Sequence, residues 1–460
     1  MWELPSRIAV LGAGRTGDAV ARWALGRLAG RDQAVVAVFS ETDDPPSREV
    51  ARGLTALGAR VSLGVSELDG TGFDLVVASP GIAPTRPLMV RALRLGVPVI
   101  SELELAWRVS RAPVVAVTGT NGKTTVTALT AHLLRLSGLD ARAVGNIGTP
   151  MIVEADDAPA SAFLVAECSS FQLALTDTFH PAISVLLNIT PDHIDWHGSL
   201  EVYERDKARV FERQCAGDSA VVDVDDPGSA RWARRLASQG PRVVPVTLGA
   251  PPPGGAGLIG AMLTLDMETG CVALVETSEL RIRGRHNVSN ALAAAAAAMS
   301  AGASVEAIRD GLRSFEPIEH RLQTVASRAG VTYVNDSKAT NPEAVLKALA
   351  AFDGAQLVVL LGGRNKDNDF SELAARCARD CRLAVLFGEA RPELAQAFEQ
   401  AGARHLDAST MAEALWLASE AAVEGEVVLL SPACASFDEF DGYEDRGRAF
   451  ARLVREMDGR

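Results

Sequence analysis

The chain is 460 residues long, with 48% hydrophobic and 22% charged residues and a formal net charge of −13. At about 150 residues per domain this length predicts roughly three domains of ordinary globular composition. The acidic balance argues against a nucleic-acid partner, so any phosphate site must be built locally. Six cysteines (168, 215, 271, 377, 381 and 434) form no C-x-x-C pair, which predicts a reducing, cytoplasmic setting. Cys377 and Cys381, four apart, are expected on one buried helix face. No run of 18 uninterrupted apolar residues occurs, so no membrane partner is expected. Residues 1–11 read as a first strand entering a Gly turn, not as a leader.

The first third alternates strands (7–11, 34–39, 74–79, 97–100) with helices (16–29, 47–57, 87–95). That order predicts parallel βαβ units with ligands at the strand C-termini. The first strand enters Gly12-Ala13-Gly14-Arg15-Thr16-Gly17, a G-x-G-x-x-G turn suited to a nucleotide diphosphate at a helix N-terminus. Glu41, near the end of the second strand, leaves an NAD-type ribose contact open. The turn Ser79-Pro80-Gly81-Ile82 ends another strand of this segment and is placed to close over the same ligand. A break follows at 110–113.

The second third opens with the most informative segment, residues 114–125, VVAVTGTNGKTT. A β-branched strand runs into a Gly-rich loop that opens a helix over 123–137, which is how backbone N–H groups are aimed at phosphate oxygens. Gly119 and Gly122 permit the tight turn, Lys123 reaches outer phosphates, and the Thr124 hydroxyl can hold Mg²⁺. The spacing G-x-x-G-K-T is two residues shorter than the usual G-x-x-x-x-G-K-[ST]. Strands 163–167 and 183–188 end in polar residues. The first ends at Glu167, in ECSSFQ, where a carboxylate beside a phosphate loop is a candidate Mg²⁺ ligand. The second leads to Asn188-Ile189-Thr190-Pro191-Asp192-His193-Ile194-Asp195-Trp196-His197. There His193 is read as functional, on phosphate or a second metal, and His197 as a loop hydrogen-bonder. Lys207 lies on a helix predicted over 200–213 and reads from the sequence as an ordinary solvated lysine. Shorter β-like strands at 261–265 and 272–276 precede an Ala-rich helix from about 287 to 301.

The last third restarts near 317 with strands 332–335, 356–361, 383–387 and 427–431 alternating with helices, a second doubly wound pattern. Its strand ends carry Asn335-Asp336-Ser337-Lys338-Ala339-Thr340-Asn341 and Leu430-Ser431-Pro432-Ala433-Cys434-Ala435-Ser436-Phe437-Asp438. Lys338 with the nearby hydroxyls offers a site for a small anion such as a carboxylate, although each such residue alone reads as a cap or turn.

Taken together, GTNGKTT, ECSSFQL, NITPDHIDWHG, GRHNVSNALAA, His320-Arg321, NDSKATNP, LLGGRNKDNDF and LSPACASFDEF resemble, in order, the motifs of the Mur ligases, ATP-dependent amide-bond-forming enzymes of peptidoglycan synthesis. The resemblance is strongest to members that add D-glutamate. It implies an α/β protein of three domains: a UDP-sugar-binding Rossmann-like domain (1–111), a central ATP-binding P-loop ATPase-type parallel sheet (112–317) and a C-terminal Rossmann-like glutamate-binding domain (318–460). It implies ATP, Mg²⁺ as two ions, UDP-N-acetylmuramoyl-L-alanine and D-glutamate, and a cytoplasmic monomer that binds neither nucleic acid nor membrane. It assigns Gly119, Thr120, Asn121, Gly122, Lys123, Thr124, Thr125, Asn290, Arg321 and Asp336 to the nucleotide. Thr124, Glu167, His193 and Lys207 go to the metal ions, with Lys123, His193 and Lys207 in catalysis and Lys207 carbamylated. Arg15, Thr16 and Asn146 face the UDP-sugar, and Lys338, Thr340, Ser431 and Phe437 the glutamate. Arg364 and Asn365 depart from the family pattern beside Lys366.

Overall fold

The computed structural model of the chain describes residues 2–457 except 69–71, 147, 239, 317–318, 353–355 and 366–367, with the backbone alone for Asp195. Lys366 and the expected domain boundary at 317/318 therefore lie outside the described residues.

The first sheet comprises β1 (Arg7–Leu11), β2 (Val35–Ser40), β3 (Arg60–Leu63), β4 (Leu75–Ala78) and β5 (Val99–Ser101), all parallel in the order β3-β2-β1-β4-β5. The strand order reverses between β1 and β4, which opens a crevice beyond their C-terminal ends. Gly12 turns the chain there with φ +97°, and a Cβ on Gly17 would lie 1.9 Å from the Gly12 carbonyl oxygen. Helix Arg15–Leu28 can thus approach the strand only because position 17 lacks a side chain.

The second sheet contains β6 (Val114–Thr118), β7 (Ala141–Gly145), β8 (Phe163–Glu167), β9 (Ile183–Leu186), β10 (Ser219–Asp223), β11 (Arg242–Val246), β12 (Ala256–Ile259), β13 (Met262–Met267) and β14 (Gly270–Glu276). Its order is β14-β13-β12-β11-β10-β9-β6-β8-β7. It is parallel from β7 to β12, but β12-β13-β14 is an antiparallel meander. The expected parallel sheet is thus present from β7 to β12, with this antiparallel meander extending one edge. Gly260-Ala261 and Glu268-Thr269 are loops too short for a parallel crossover.

These two sheets share a hydrophobic core running from Ile8, Val10 and Leu28 through Ala106 to Val114, Leu164 and Phe211. They belong to one compact unit, Met1–Leu280 with Asn287–Phe315. A second unit, Arg281–His286 with Glu316–Arg460, holds the third sheet.

That sheet is built from β15 (Gln323–Arg328), β16 (Val331–Asn335), β17 (Leu357–Gly362), β18 (Cys381–Phe387), β19 (His405–Asp407) and β20 (Val427–Ala433), ordered β15-β16-β20-β17-β18-β19. Only the β15–β16 edge pair is antiparallel. Val359 and Leu361 pack on one face with Leu349, Leu373 and Phe398, while Val358 and Leu360 pack on the other with Leu415, Phe450 and Val454. Burial on both faces explains the continuous apolar reading of β17. The expected cysteine face is corrected here: Cys377 is buried on helix Ser371–Asp380, but Cys381 opens β18.

Candidate functional site

Strand β6 delivers Gly119 (φ +149°) and Gly122 (φ +86°) into the loop, and helix Lys123–Leu136 starts immediately after. The Gly119 position faces Leu187 and Asn188, and a Cβ on Gly122 would lie 2.4 Å from Asn290 Oδ1. Asn188 shapes the loop from the neighbouring strand end. Its Oδ1 accepts from Asn121 N at 2.8 Å and its Nδ2 donates to Asn121 O at 3.1 Å. Thr120 Oγ1 accepts from Thr190 N at 3.0 Å and lies 3.0 Å from the Tyr203 hydroxyl. The result is a fixed anion cradle at a helix N-terminus.

Lys123 Nζ donates to the carbonyls of Gly119 (2.9 Å) and Thr120 (2.8 Å). Lys207 Nζ reaches the same Gly119 oxygen at 2.8 Å. Lys207, on helix Leu200–Ala208, is 2% exposed and lies 4.4 Å above the Tyr203 ring. Burial first, then the Lys123 charge, hold its pKa well below the ordinary lysine value. A lysine so placed favours its neutral, nucleophilic amine.

Glu167 ends β8, 2% exposed. Its Oε1 accepts from Asn146 Nδ2 at 3.0 Å, whereas its Oε2 is buried with no hydrogen-bond partner among the described residues. A buried carboxylate oxygen left without a donor beside a phosphate loop suits a hard cation. Thr118 and Glu167 end adjacent strands, with β6 paired to β8 in parallel. Asn146 also accepts a hydrogen bond at its carbonyl from Arg15 Nη2, at 3.3 Å. This joins the first Gly-rich turn to the acidic strand end within one unit.

The two histidines separate clearly. His193 caps helix Ile194–His197 in a left-handed conformation (φ +52°), its ring half exposed, 4.8 Å from Phe171 and 3.5 Å from Asp192 Oδ2. His197 is buried between Asp206 Oδ2 (2.7 Å from Nδ1) and Ser170 Oγ (2.9 Å from Nε2), stacked on Phe171. It ties the ECSSFQ segment to the helix that carries Lys207.

Glu41 does not stand open for a ribose. It accepts from Leu88 N at 3.0 Å and pairs with Arg86, at the start of helix Pro87–Arg94. The Gly12 turn instead packs on Ser79, whose Oγ would lie 2.8 Å from a Cβ at position 12. The two Gly turns expected over one ligand thus lie side by side.

In the second unit, Arg321 sits between two left-handed residues, His320 (φ +66°) and Leu322 (φ +44°). Asp336 accepts from Leu322 N (3.2 Å) and Ser431 Oγ (2.7 Å), and burial pushes its carboxyl up to about 7. The Ser431 hydroxyl proton is thus directed at Asp336. Lys338 Nζ lies 3.8 Å above the Tyr443 ring, Thr340 N donates to Lys338 O at 2.9 Å, and Phe437 is exposed. Arg446, fully buried and not singled out from the sequence, donates to Ser337 Oγ and O (both 2.9 Å) and Cys434 O (3.1 Å), pinning two strand ends. Tyr203, buried under the Lys207 amine and beside Thr120, was equally unmarked as a site-shaping group.

Comparison with known proteins gives two family matches: the Mur ligase middle domain over residues 117–298 and the Mur ligase, glutamate ligase domain over 320–434. The chain is 40% identical over 452 residues to the UDP-N-acetylmuramoylalanine–D-glutamate ligase of Pelotomaculum thermopropionicum, covering 97% of both chains. It is 41% identical to the ligase of the same name from Thermobifida fusca, over 98% of this chain and 99% of that one. In fold it is similar to the UDP-N-acetylmuramate-alanine ligase of Thermotoga maritima, with TM-score 0.62 and 18% identity over 98% of this chain and 100% of that one.

Proposed function

Because the chain belongs to the Mur ligase family, we propose that it joins D-glutamate to UDP-N-acetylmuramoyl-L-alanine with cleavage of ATP to ADP and phosphate. The structural observation that supports its ATP-dependent part is the glycine loop at a helix N-terminus beside Glu167 Oε2, which has no hydrogen-bond partner among the described residues; the choice of D-glutamate is supported by the full-length relatives. An ATP-dependent ligase of this family uses Mg²⁺. We assign the domains as 1–111, 112–317 and 318–460.

The chemistry follows from the groups joined. A carboxylate resists attack by an amine until one of its oxygens becomes a leaving group. The alanine carboxylate attacks the γ-phosphorus of ATP, giving an acyl phosphate and ADP. The glutamate amine then attacks the acyl carbon, and the tetrahedral adduct expels phosphate and loses a proton. The protein's part is to position reactants and to neutralise spreading charge. Gly119, Thr120, Asn121, Gly122, Lys123, Thr124 and Thr125 wrap the phosphates, with Lys123 as the compensating charge. Asn290, Arg321 and Asp336 serve the nucleotide. Arg15, Thr16 and Asn146 hold the UDP-sugar, and Lys338, Thr340, Ser431 and Phe437 hold glutamate.

Two Mg²⁺ ions, held by Thr124, Glu167, His193 and carbamylated Lys207, would supply charge neutralisation on the phosphate oxygens. The buried Lys207 amine adds to CO₂ with loss of one proton. This replaces a neutral amine beside Lys123 with an anion that Lys123 attracts. The reading places the enzyme in the cytoplasm as a monomer. Among the described residues no helix is long and apolar enough to cross a membrane.

The test is phosphate release from ATP with UDP-N-acetylmuramoyl-L-alanine and D-glutamate, L-glutamate or no amino acid. Release that requires both the UDP-sugar and D-glutamate is expected. Release with L-glutamate alone would keep the mechanism and overturn the acceptor. No release with either would overturn the reading.

A further inference from the structure

At the N-terminal ends of β9 and β10, away from the phosphate loop at the strand C-termini, three side chains with metal-binding chemistry converge. His180 Nε2 lies 2.7 Å from Asp218 Oδ2, and one ligand atom each of His180, Cys215 and Asp218 falls within 4.8 Å of the others. Cys215 is exposed, while His180 and Asp218 are half-buried. Nothing in the ligase chemistry uses them.

The backbones carrying these groups are fixed by contacts that do not involve the His180 ring or the Cys215 thiol. Cys215 and Asp218 close one tight turn: Asp218 N donates to Cys215 O at 2.9 Å, and Cys215 N to Asp218 Oδ2 at 2.7 Å. Gln214 fastens that turn to the His180 loop, donating from Nε2 to Pro181 O at 3.0 Å and accepting from Ser184 Oγ at 2.8 Å. The His180 carbonyl accepts from Trp107 Nε1 at 3.1 Å, and Ser219 N donates to Ala182 O at 3.0 Å. Ligands pre-positioned in this way lose little entropy on closing around an ion. The donor set is one imidazole, one thiolate and one carboxylate. Its two negative charges neutralise a dication, and its softness selects the zinc class over Mg²⁺ or Ca²⁺.

We propose that His180, Cys215 and Asp218 form a surface site for a borderline-soft divalent cation of the zinc class, with a fourth position open to water. A tetrahedral ion with bonds of about 2.0–2.3 Å holds its ligand atoms about 3.3–3.7 Å apart. The His180–Asp218 pair therefore widens by under about 1 Å as its hydrogen bond is replaced by two metal bonds. The imidazole proton moves to Nδ1, and the thiol releases one proton to solvent. Lying at the opposite end of the strands from the phosphate loop, the ion braces the turn between the Lys207 helix and β10 and takes no part in phosphoryl chemistry.

The experiment is titration of the full chain with Co²⁺ in excess Mg²⁺, so that oxygen-rich sites are filled, with thiolate-to-cobalt charge-transfer absorption as the readout. One equivalent per chain is expected to develop the band. C215S is expected to lose it and H180N to weaken it, with C271S, at the other exposed cysteine, unchanged. Titration in two buffers of different ionisation enthalpy should show one proton released per ion. No band in the unmodified protein, or a band that survives C215S, overturns the proposal. The conservative variants sit at the surface, and phosphate release by each reports that the fold is intact.

Discussion

Gly122→Ala separates the two demands that the phosphate loop makes on this position. The residue is held at φ +86°, a left-handed conformation that costs a side-chain-bearing residue about 1–2 kcal/mol. The added Cβ would also begin 2.4 Å from Asn290 Oδ1 and 3.0 Å from Leu187 Cδ1. Real Cβ contacts stay beyond 3.0 Å, so Asn290 or the loop must move by at least 0.6 Å. A displacement approaching 1 Å at a positioning group costs about 10²-fold in rate. Gly138→Ala is the matched control, because Gly138 has φ +81° just past the end of the same helix and nothing within 4 Å of its Cβ position. Both variants should melt a few degrees lower. Phosphate release at saturating D-glutamate and UDP-sugar should fall about 10²-fold in G122A and stay within about twofold of the parent in G138A. A G122A enzyme as active as G138A would refute the argument that close approach, rather than backbone strain, dictates glycine there.

Three further outcomes are expected. Lys207→Ala should abolish phosphate release and regain part of it with short carboxylic acids; an alanine variant of near-parental activity would remove Lys207 from the site. Glu167→Gln should raise the Mg²⁺ concentration needed for half-maximal rate, with little change in the apparent affinity for D-glutamate, as steady-state kinetics at varied Mg²⁺ would show. Glu102 is fully buried at the start of helix Glu102–Val109, accepts from Ile152 N at 2.7 Å, and is pushed up by burial to about 7 from 4.5. The folded state therefore holds a proton that the unfolded state releases, so stability falls as pH rises from about 4.5 to 7, by on the order of 3 kcal/mol in total. E102Q should flatten that slope in thermal melts across this window, and an unchanged slope would show that other groups produce it.

Much of the frame was legible because the parallel strands advertise themselves. β6, β8, β17 and β20 are short apolar runs, and Gly119 just past the end of β6 and Glu167 at the end of β8 are residues of the glycine loop and of the acidic strand end. β3, with the sequence RVSL, was illegible because it is only partly buried and pairs with β2 alone. The β13–β14 pair shows its alternation, but periodicity does not tell that it continues a sheet begun by parallel strands. Lys207 is the sharper case. It lies among Glu204, Arg205, Asp206 and Arg209, the pattern of a solvated helix, and only the tertiary placement of that helix under Gly119 buries it. Resemblance singled it out where periodicity could not. His197 was read correctly as a hydrogen-bonder, yet nothing local says that its partners, Ser170 and Asp206, belong to two different motifs.

The short chain of contacts from Arg15 through Asn146 to Glu167 has a thermodynamic consequence. An anion that drew the Arg15 guanidinium toward the first Gly turn would loosen its hold on the Asn146 carbonyl. This would alter how firmly Asn146 Nδ2 occupies Glu167 Oε1. If the acidic strand end holds a cation, as proposed, its affinity would then differ between the two situations. By reciprocity, the cation changes the affinity of the first turn for its anion by the same factor. An apparent order of ligand addition can therefore arise from a single asparagine shared by two loops, with no lid or hinge to enforce it.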